Sequence, residues 1–220
     1  MTGSPLSDAP LSIVAQLLDH GAITVNVHDR YTFASGLRSP VYTDTRSLIS
    51  RVAARRRVVA ALADAVRDSF GPCGAIAGVV TAGVPWSAWL ADEFDLPMVY
   101  VRSAPKNRGL GRQVEGRIED LDRAIVVEDL VTTGSSSVNA VDALRRSGVS
   151  VAGVVSIFSY ELPYAARLFD SVNVNHKSVA TLSGLLDLAE VAFGARVAER
   201  LREWRDQELP SFVPVTSGHS

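Results

Sequence analysis

Cysteine is almost absent from this sequence, since Cys73 is the only one among its 220 residues. A single cysteine excludes an intrachain disulfide, and low cysteine usage is typical of a reducing compartment such as the cytoplasm. The chain also has only four histidines, and their positions lack the spacing of metal-binding pairs. We therefore expect a cytoplasmic protein that has no dedicated metal site of its own.

Long apolar runs and an excess of positive charge are also missing. No stretch approaches the roughly 18 continuous apolar residues of a membrane helix, and the first ten residues do not have the pattern of a signal peptide. The formal net charge is −2, which argues against nucleic acid as the main partner. A hydrophobic fraction of 47% is typical of a globular protein. Together with the missing apolar run and the net charge, it leads us to expect a globular protein that binds neither membrane nor nucleic acid.

Strand-like and helical patterns alternate along most of the chain. The spacing of apolar residues predicts helices over 12–20, 51–69, 86–94, 135–147 and 189–205, with Ser12 capping the first. Short apolar runs predict strands over 75–80, 98–102, 124–127 and 151–158, and the stretch 23–45 predicts short strands joined by a turn. This alternation predicts an α/β fold with a parallel sheet flanked by helices. Ligands of such sheets bind beyond the carboxyl ends of the strands.

The most informative segment follows the predicted strand 124–127. Two adjacent acids, Glu128 and Asp129, precede a hydroxyl-rich turn that opens the next helix. Neighbouring strand residues face opposite sides of a sheet, so both carboxylates reach one ligand only if the strand ends before them. The two acids would suit the vicinal hydroxyls of a ribose, and the helix N-terminus would suit a phosphate. The predicted ribose 5-phosphate site consists of Glu128, Asp129, Leu130, Val131, Thr132, Thr133, Gly134, Ser135 and Ser136. Either half alone is better explained by an exposed acidic turn or by a helix cap.

A glycine-containing turn follows the predicted strand 75–80. Gly78 and Gly83 have the spacing of the first half of a P-loop, but Val84 and Pro85 stand where Lys and Ser or Thr are required. An ATP-type P-loop is therefore excluded, and a tight turn between strand and helix is the simple alternative.

The loop 102–112 carries four positive charges and no acid. Charge runs are usually exposed surfaces, yet a polar loop of this length in a compact domain is uncommon and is often functional. Its Gly109-Leu110-Gly111 fragment is not a dinucleotide fingerprint, because the third glycine is missing at position 114. A cationic loop over a pyrophosphate would stabilise the charge that develops on this leaving group.

These segments together resemble a known family of enzymes. The run 126–136 is similar to the donor-binding signature of type I phosphoribosyltransferases nearly residue for residue, and 31–44 (YTFASGLRSPVYTD) resembles the hood motif of orotate phosphoribosyltransferases. The segments 99–102, 157–160 and 201–205 are similar to that enzyme too, so the resemblance runs from about Gly21 to Arg205. It implies a phosphoribosyltransferase core over 51–180, an N-terminal helix and small hood over 1–50, and a C-terminal helical segment and tail over 181–220.

The resemblance also implies an activity. The family transfers the phosphoribosyl group of 5-phosphoribosyl 1-pyrophosphate (PRPP) to orotate, giving orotidine 5'-phosphate and pyrophosphate in pyrimidine biosynthesis. Mg²⁺ would arrive on the PRPP, and the chain would form a homodimer with shared active sites. Two alternatives remain, a phosphoribosyltransferase for another base and a non-catalytic nucleotide sensor. Lys106 and the acid pair argue against the sensor, which needs no leaving-group chemistry.

Individual residue roles follow from the same resemblance. Arg102, Lys106 and Arg108 would contact the donor pyrophosphate, as would the turn formed by Thr81, Ala82 and Gly83, and the catalytic residues would be Arg102, Lys106 and Asp129. Orotate would be contacted by Thr132, Ser35, Gly36 and Arg38. One position departs from the family, whose members usually have histidine where this chain has Arg108. Arginine keeps the positive charge but cannot carry a proton near neutral pH.

Overall fold

The computed structural model describes residues 12–105 and 112–215. The helices in these ranges are α1 (Ile13–Asp19), α2 (Val52–Ser69), α3 (Gly83–Phe94), α4 (Ser135–Arg146), α5 (Pro163–Ser171), α6 (Leu182–Phe193) and α7 (Ala195–Glu208). The strands are β1 (Ile23–Val25), β2 (Tyr31–Thr32), β3 (Arg38–Ser39), β4 (Val41–Thr43), β5 (Ala75–Val79), β6 (Met98–Val101), β7 (Val114–Glu115), β8 (Arg123–Val131), β9 (Ser150–Ser159) and β10 (His176–Thr181). A short 3-10 helix spans Thr45–Leu48.

A six-stranded sheet organises the described chain, in the order β10-β9-β8-β5-β6-β7. All neighbouring pairs are parallel except β6 and β7. Strand β5 is buried along its whole length, as is typical of parallel strands that are covered on both faces. The predicted α/β class with a helix-flanked parallel sheet is confirmed.

Helices α1 to α4 form where the apolar spacing predicted them. Ser12 caps α1, because its side chain accepts a hydrogen bond from the backbone N–H of Ala15 at 3.2 Å. Helix α2 buries one stripe of residues, from Ala54 through Val58 and Leu62 to Val66, and packs this stripe toward β9, β10 and α3. None of the helices in residues 12–105 and 112–215 is both long and apolar enough to cross a membrane.

The N-terminal strands form two small antiparallel ribbons, β1 with β4 and β2 with β3. We call strands β1–β4 with their connecting turns the hood. Tyr160, which directly follows β9, supports the hood from the core side, since its buried hydroxyl donates to the carbonyl of Val41 at 3.0 Å. Burial raises the pKa of the Tyr160 phenol, which keeps this donor protonated.

Four features of the fold differ from the sequence prediction or were not predicted. Strand β8 continues four residues past position 127 to Val131, and the short strand β7 lies just after the segment 102–112, where no strand was predicted. The single helix predicted over 189–205 is two helices, because Gly194 has a φ of 85° and interrupts the helical path. Helix α5 and strand β10 lie in a stretch for which no element was predicted.

Candidate active site

A cleft of about 490 Å³ opens between the hood and the carboxyl end of β8. The hood side is lined by Thr32, Phe33, Ala34, Ser35, Tyr42, Thr43, Asp44 and Arg46. The opposite side is lined by Ala82, Asp129, Leu130, Thr132, Thr133, Gly134 and Ser136. The cleft thus lies where a parallel sheet usually binds its ligand.

Asp129 is the acid that faces this cleft from β8. One of its carboxylate oxygens accepts a hydrogen bond from the Thr45 hydroxyl at 3.1 Å. Thr45 is buried and belongs to the 3-10 helix that follows the hood. This bond orients the Asp129 carboxylate, whose remaining lone pairs can accept from a ligand in the cleft.

Glu128 occupies a different environment from its neighbour. Its carboxylate is buried and accepts hydrogen bonds from the hydroxyls of Ser136 at 2.8 Å and Ser137 at 3.4 Å, at the start of α4. Burial, followed by the nearby charge of Asp129, raises the pKa of the Glu128 carboxyl. The acid therefore fixes the first turn of α4 to the end of β8.

The predicted strand end at position 127 is thus wrong. Because β8 continues through both acids, strand alternation sends their side chains to opposite faces. Asp129 lines the cleft and Glu128 does not. The contact of Glu128 with a ribose stays a prediction.

The turn after β8 leads directly into α4 and contributes Thr132, Thr133 and Gly134 to the cleft. Gly134 has a φ of 78°, and a Cβ there would lie only 3.1 Å from the Phe169 ring, so glycine suits this position on both grounds. The hydroxyls of Thr133 and Ser135 lie 3.1 Å apart. Unpaired N–H groups and hydroxyls at a helix N-terminus form a site for an anion such as a phosphate.

The turn after β5 contributes Ala82 to the cleft, while Thr81 is exposed beside it. Gly83 is buried and begins α3. A Cβ at Gly83 would lie 2.6 Å from the Val127 carbonyl oxygen, so only glycine lets α3 start this close to β8. The position of Ala82 at the edge of the cleft depends on this close packing of α3 against β8.

Aromatic side chains form much of the hood surface. Phe33 and Tyr42 both line the cleft, with ring centroids 6.3 Å apart in an edge-to-face arrangement. Phe33 also packs edge-to-face on Tyr160, at 5.4 Å between centroids. Rings held by such packing present apolar surface to a flat heterocycle.

The other residues predicted from the sequence are not all at the cleft. Ser35 lines it, whereas Gly36 and Arg38 do not. Arg102 directly follows β6 and pairs with Glu115 at 3.6 Å. Lys106 and Arg108 lie outside the described residues.

Sequence reasoning missed three residues that follow the last hood strand. Thr45 holds Asp129, and Asp44 and Arg46 line the cleft. The Arg46 guanidinium binds both carboxylate oxygens of Asp44, at 2.7 and 3.1 Å, and these bonds lower the pKa of the Asp44 carboxyl. Asp44 could have indicated this segment from the sequence, because aspartate is a favourable N-cap residue and Asp44 caps the short 3-10 helix.

Comparison with known proteins places this geometry in a family. Residues 49–178 match the model of the phosphoribosyl transferase domain, which defines the class of protein. A curated relative from Bacillus mycoides, named orotate phosphoribosyltransferase, is 39% identical over 195 residues, covering 88% of this chain and 93% of that protein.

Solved structures agree with this placement. The crystal structure of orotate phosphoribosyltransferase from Aeropyrum pernix is 29% identical, with a TM-score of 0.69 over 80% of this chain and 96% of that one. The Leishmania donovani UMP synthase is 25% identical with a TM-score of 0.76, and the match covers 92% of this chain but only 43% of that protein. The chain therefore belongs to the phosphoribosyltransferase family and, within it, to the orotate phosphoribosyltransferases.

Proposed function

We propose that this protein transfers the phosphoribosyl group of PRPP to orotate, giving orotidine 5'-phosphate and pyrophosphate in pyrimidine biosynthesis. One observation carries the proposal: a single cleft has the donor-binding turn on one side and the aromatic hood on the other. A sugar phosphate and a planar base can therefore meet between them. Named relatives with this activity, matched over most of their length, support the same substrates.

The donor is held by its ribose 5-phosphate. Asp129 accepts a hydrogen bond from a ribose hydroxyl, and the backbone N–H groups and hydroxyls at the start of α4 bind the 5-phosphate. Glu128 supports this arrangement from behind by holding Ser136. The anomeric carbon then faces the hood across the cleft.

The reaction is a displacement at the anomeric carbon. The lone pair of the deprotonated ring nitrogen of orotate forms the new C–N bond, while the C–O bond to pyrophosphate breaks and its electron pair leaves with pyrophosphate. The transition state resembles an oxocarbenium ion, as in other glycosyl transfers. Because the protein forms no covalent bond with either substrate, its contribution is orientation and electrostatic stabilisation.

The cationic residues complete the site in this proposal. Arg102, Lys106 and Arg108 bind the pyrophosphate and stabilise its growing negative charge. An arginine at position 108 binds phosphate oxygens as a permanently charged bidentate donor and takes no part in proton transfer.

Mg²⁺ fits the site as a partner of the donor. The described residues contain no group of three or more His, Cys, Asp or Glu side chains that could hold a metal, and the carboxylates at the cleft are those of Asp44 and Asp129. A hard cation that keeps most of its waters binds phosphate oxygens readily. When bound to the pyrophosphate, Mg²⁺ would neutralise charge on the leaving group.

The oligomeric state is also part of the proposal: a homodimer in which Lys106 of one subunit serves the site of the other. Mixing inactive Lys106→Ala and Asp129→Ala proteins should then restore activity, because each hybrid dimer contains one site with both native residues. At random exchange, about a quarter of the native activity is expected. Exchange without any recovered activity would contradict the shared site.

A spectrophotometric assay with PRPP, Mg²⁺ and a panel of bases tests the activity itself. Orotate should be consumed with release of pyrophosphate, while uracil, hypoxanthine and adenine should react far more slowly. Conversion of a purine with orotate left untouched would refute the substrate assignment and favour a phosphoribosyltransferase for another base. Binding of PRPP without conversion of any base would favour a sensor.

A further inference from the structure

The hood has little structure of its own with which to hold its shape. Its central ribbon pairs β2 with β3 through only two residues from each strand, and an isolated two-stranded hairpin is marginally stable at best. Yet the turn between these strands supplies Phe33, Ala34 and Ser35 to the cleft. Something outside the ribbon must therefore fix the turn.

The C-terminal part of the chain contacts both strands of this ribbon or the residues beside them. In helix α7, the buried Trp204 donates from its indole Nε1 to the carbonyl of Arg38 at 3.1 Å, so it holds β3. Near the end of the same helix, Glu208 accepts two bonds from Arg30, at 2.6 and 2.7 Å, immediately before β2. Both strands are thus fixed to one helix.

A third contact reaches the turn itself. The backbone N–H of Val215 donates to the carbonyl of Ser35 at 3.0 Å. The Val215 side chain lies against Gly36, where any Cβ would overlap it. Gly36, which does not line the cleft, thus leaves room for the C-terminal segment.

We infer that helix α7 and residues 209–215, which we call the C-terminal strap, position the hood turn for the base. The inference rests on the proposed function, because it assigns the hood to orotate. Trp204, Glu208 and Val215 touch no cleft-lining side chain through these bonds and act on the backbone or flank of the hood. They are positioning residues.

Two of the three contacts, that of Val215 and that of Glu208 with Arg30, are exposed, and this exposure separates positioning from general stability. Val215 is 65% exposed, and the side chains of Arg30 and Glu208 are 30% and 46% exposed. Contacts this exposed bury little apolar surface and add little to the stability of the whole domain. Their loss should therefore alter the hood turn while leaving the core intact.

Val215→Pro is the sharpest variant, because proline removes the N–H donor and Val215→Ala keeps it as the matched control. Val215→Pro should raise the KM for orotate about two- to twelvefold, as expected for one lost hydrogen bond. The KM for PRPP and the melting temperature should stay at native values. An equal rise in both KM values with a lower melting temperature would mean a merely structural role and would overturn the inference.

The ion pair offers a second test with a rescue. Glu208→Gln should raise the KM for orotate, whereas Glu203→Gln, at an exposed position of the same helix, should not. Exchanging the two charges in the double variant Arg30→Glu with Glu208→Arg should return the KM towards the native value. A double variant as impaired as Arg30→Glu alone would overturn the role of the pair.

Hydrogen exchange supplies a readout that needs no substrate. Within the turn, the Phe33 amide bonds to the Leu37 carbonyl and the Gly36 amide to the Phe33 carbonyl, both at 2.9 Å. Both amides should exchange faster in Val215→Pro than in Val215→Ala, with β8 unchanged. Unchanged exchange in the turn would refute the inference, even if the protein is active on orotate. Faster exchange in a protein that is inactive on orotate would instead refute the proposed function alone. Faster exchange with an unchanged KM for orotate in an active protein would refute positioning.

Discussion

The two sides of the cleft are built in different ways. The donor side is the end of a mostly buried parallel strand, and its cleft-lining residues other than Ala82 are neighbours in sequence, from Asp129 to Ser136. The hood side consists of short ribbons held by contacts with distant residues, Tyr160 and Trp204. Contiguous residues therefore supply most of the donor side, whereas contacts with residues far along the chain hold the hood.

The largest effect is expected on the donor side, from Asp129→Asn. A charge-assisted hydrogen bond to a ribose hydroxyl contributes about 1.5–3 kcal/mol, so kcat/KM for PRPP should fall between about tenfold and 150-fold. Asparagine keeps an acceptor for Thr45, and the melting temperature should change little. Steady-state kinetics beside the exposed control Asp122→Asn checks this, and a native kcat/KM for PRPP would rule out the ribose role.

Gly83→Ala should show how tightly the donor side is built. The new Cβ would collide with the Val127 carbonyl, and overpacking of this kind costs about 1–3 kcal/mol. Gly74→Ala is the matched control, because a Cβ there would meet its nearest atom at an ordinary 3.6 Å. Chemical denaturation measures both free energies of unfolding. Equal stability of the two variants would show that α3 tolerates displacement from β8.

A smaller and more selective effect is expected on the hood side, from Phe33→Leu. Loss of aromatic stacking costs about 0.5–1.5 kcal/mol, which corresponds to a rise of about two- to twelvefold in the KM for orotate. The KM for PRPP should not change. Tyr31→Leu, which alters a hood aromatic outside the cleft, should affect orotate less. Equal effects of the two variants would mean that Phe33 does not contact the base.

The last prediction concerns the pH dependence of stability and not substrate binding. The folded protein raises the pKa of Glu128, so it binds a proton more tightly than the unfolded chain, whose glutamate pKa is about 4.3. As pH rises above that value through the folded pKa, the native protein loses stability through this group. Glu128→Gln should remove this loss of stability. The melting temperature of the variant minus that of the native protein should therefore increase as the pH rises. A constant difference across this range would contradict the burial of a titrating carboxyl.

Because most residues of the donor side are contiguous, the sequence could place them together without any knowledge of distant contacts. The structure brings most of the run from Asp129 to Ser136 to the cleft, and its binding of a ribose 5-phosphate stays a prediction. The strand end was predicted wrongly, because the polar pair Glu128-Asp129 looks like a terminus although β8 buries Glu128 against Ser136.

The hood was harder to predict from sequence. Ser35 was placed at the cleft, but Gly36 contacts the C-terminal strap and Arg38 presents its carbonyl to Trp204. Those contacts join residues 166 and 179 positions apart in the chain, and no local pattern encodes them. Thr45 was missed for the same reason, since its partner Asp129 lies 84 residues away.

A crystal structure with bound orotidine 5'-phosphate tests the central claim, that one cleft holds the donor on its strand side and the base on its hood side. The phosphate should lie at the N-terminus of α4, the ribose hydroxyls at Asp129, and the pyrimidine against Phe33 and Tyr42. A nucleotide bound in the opposite orientation, or outside this cleft, would contradict the account.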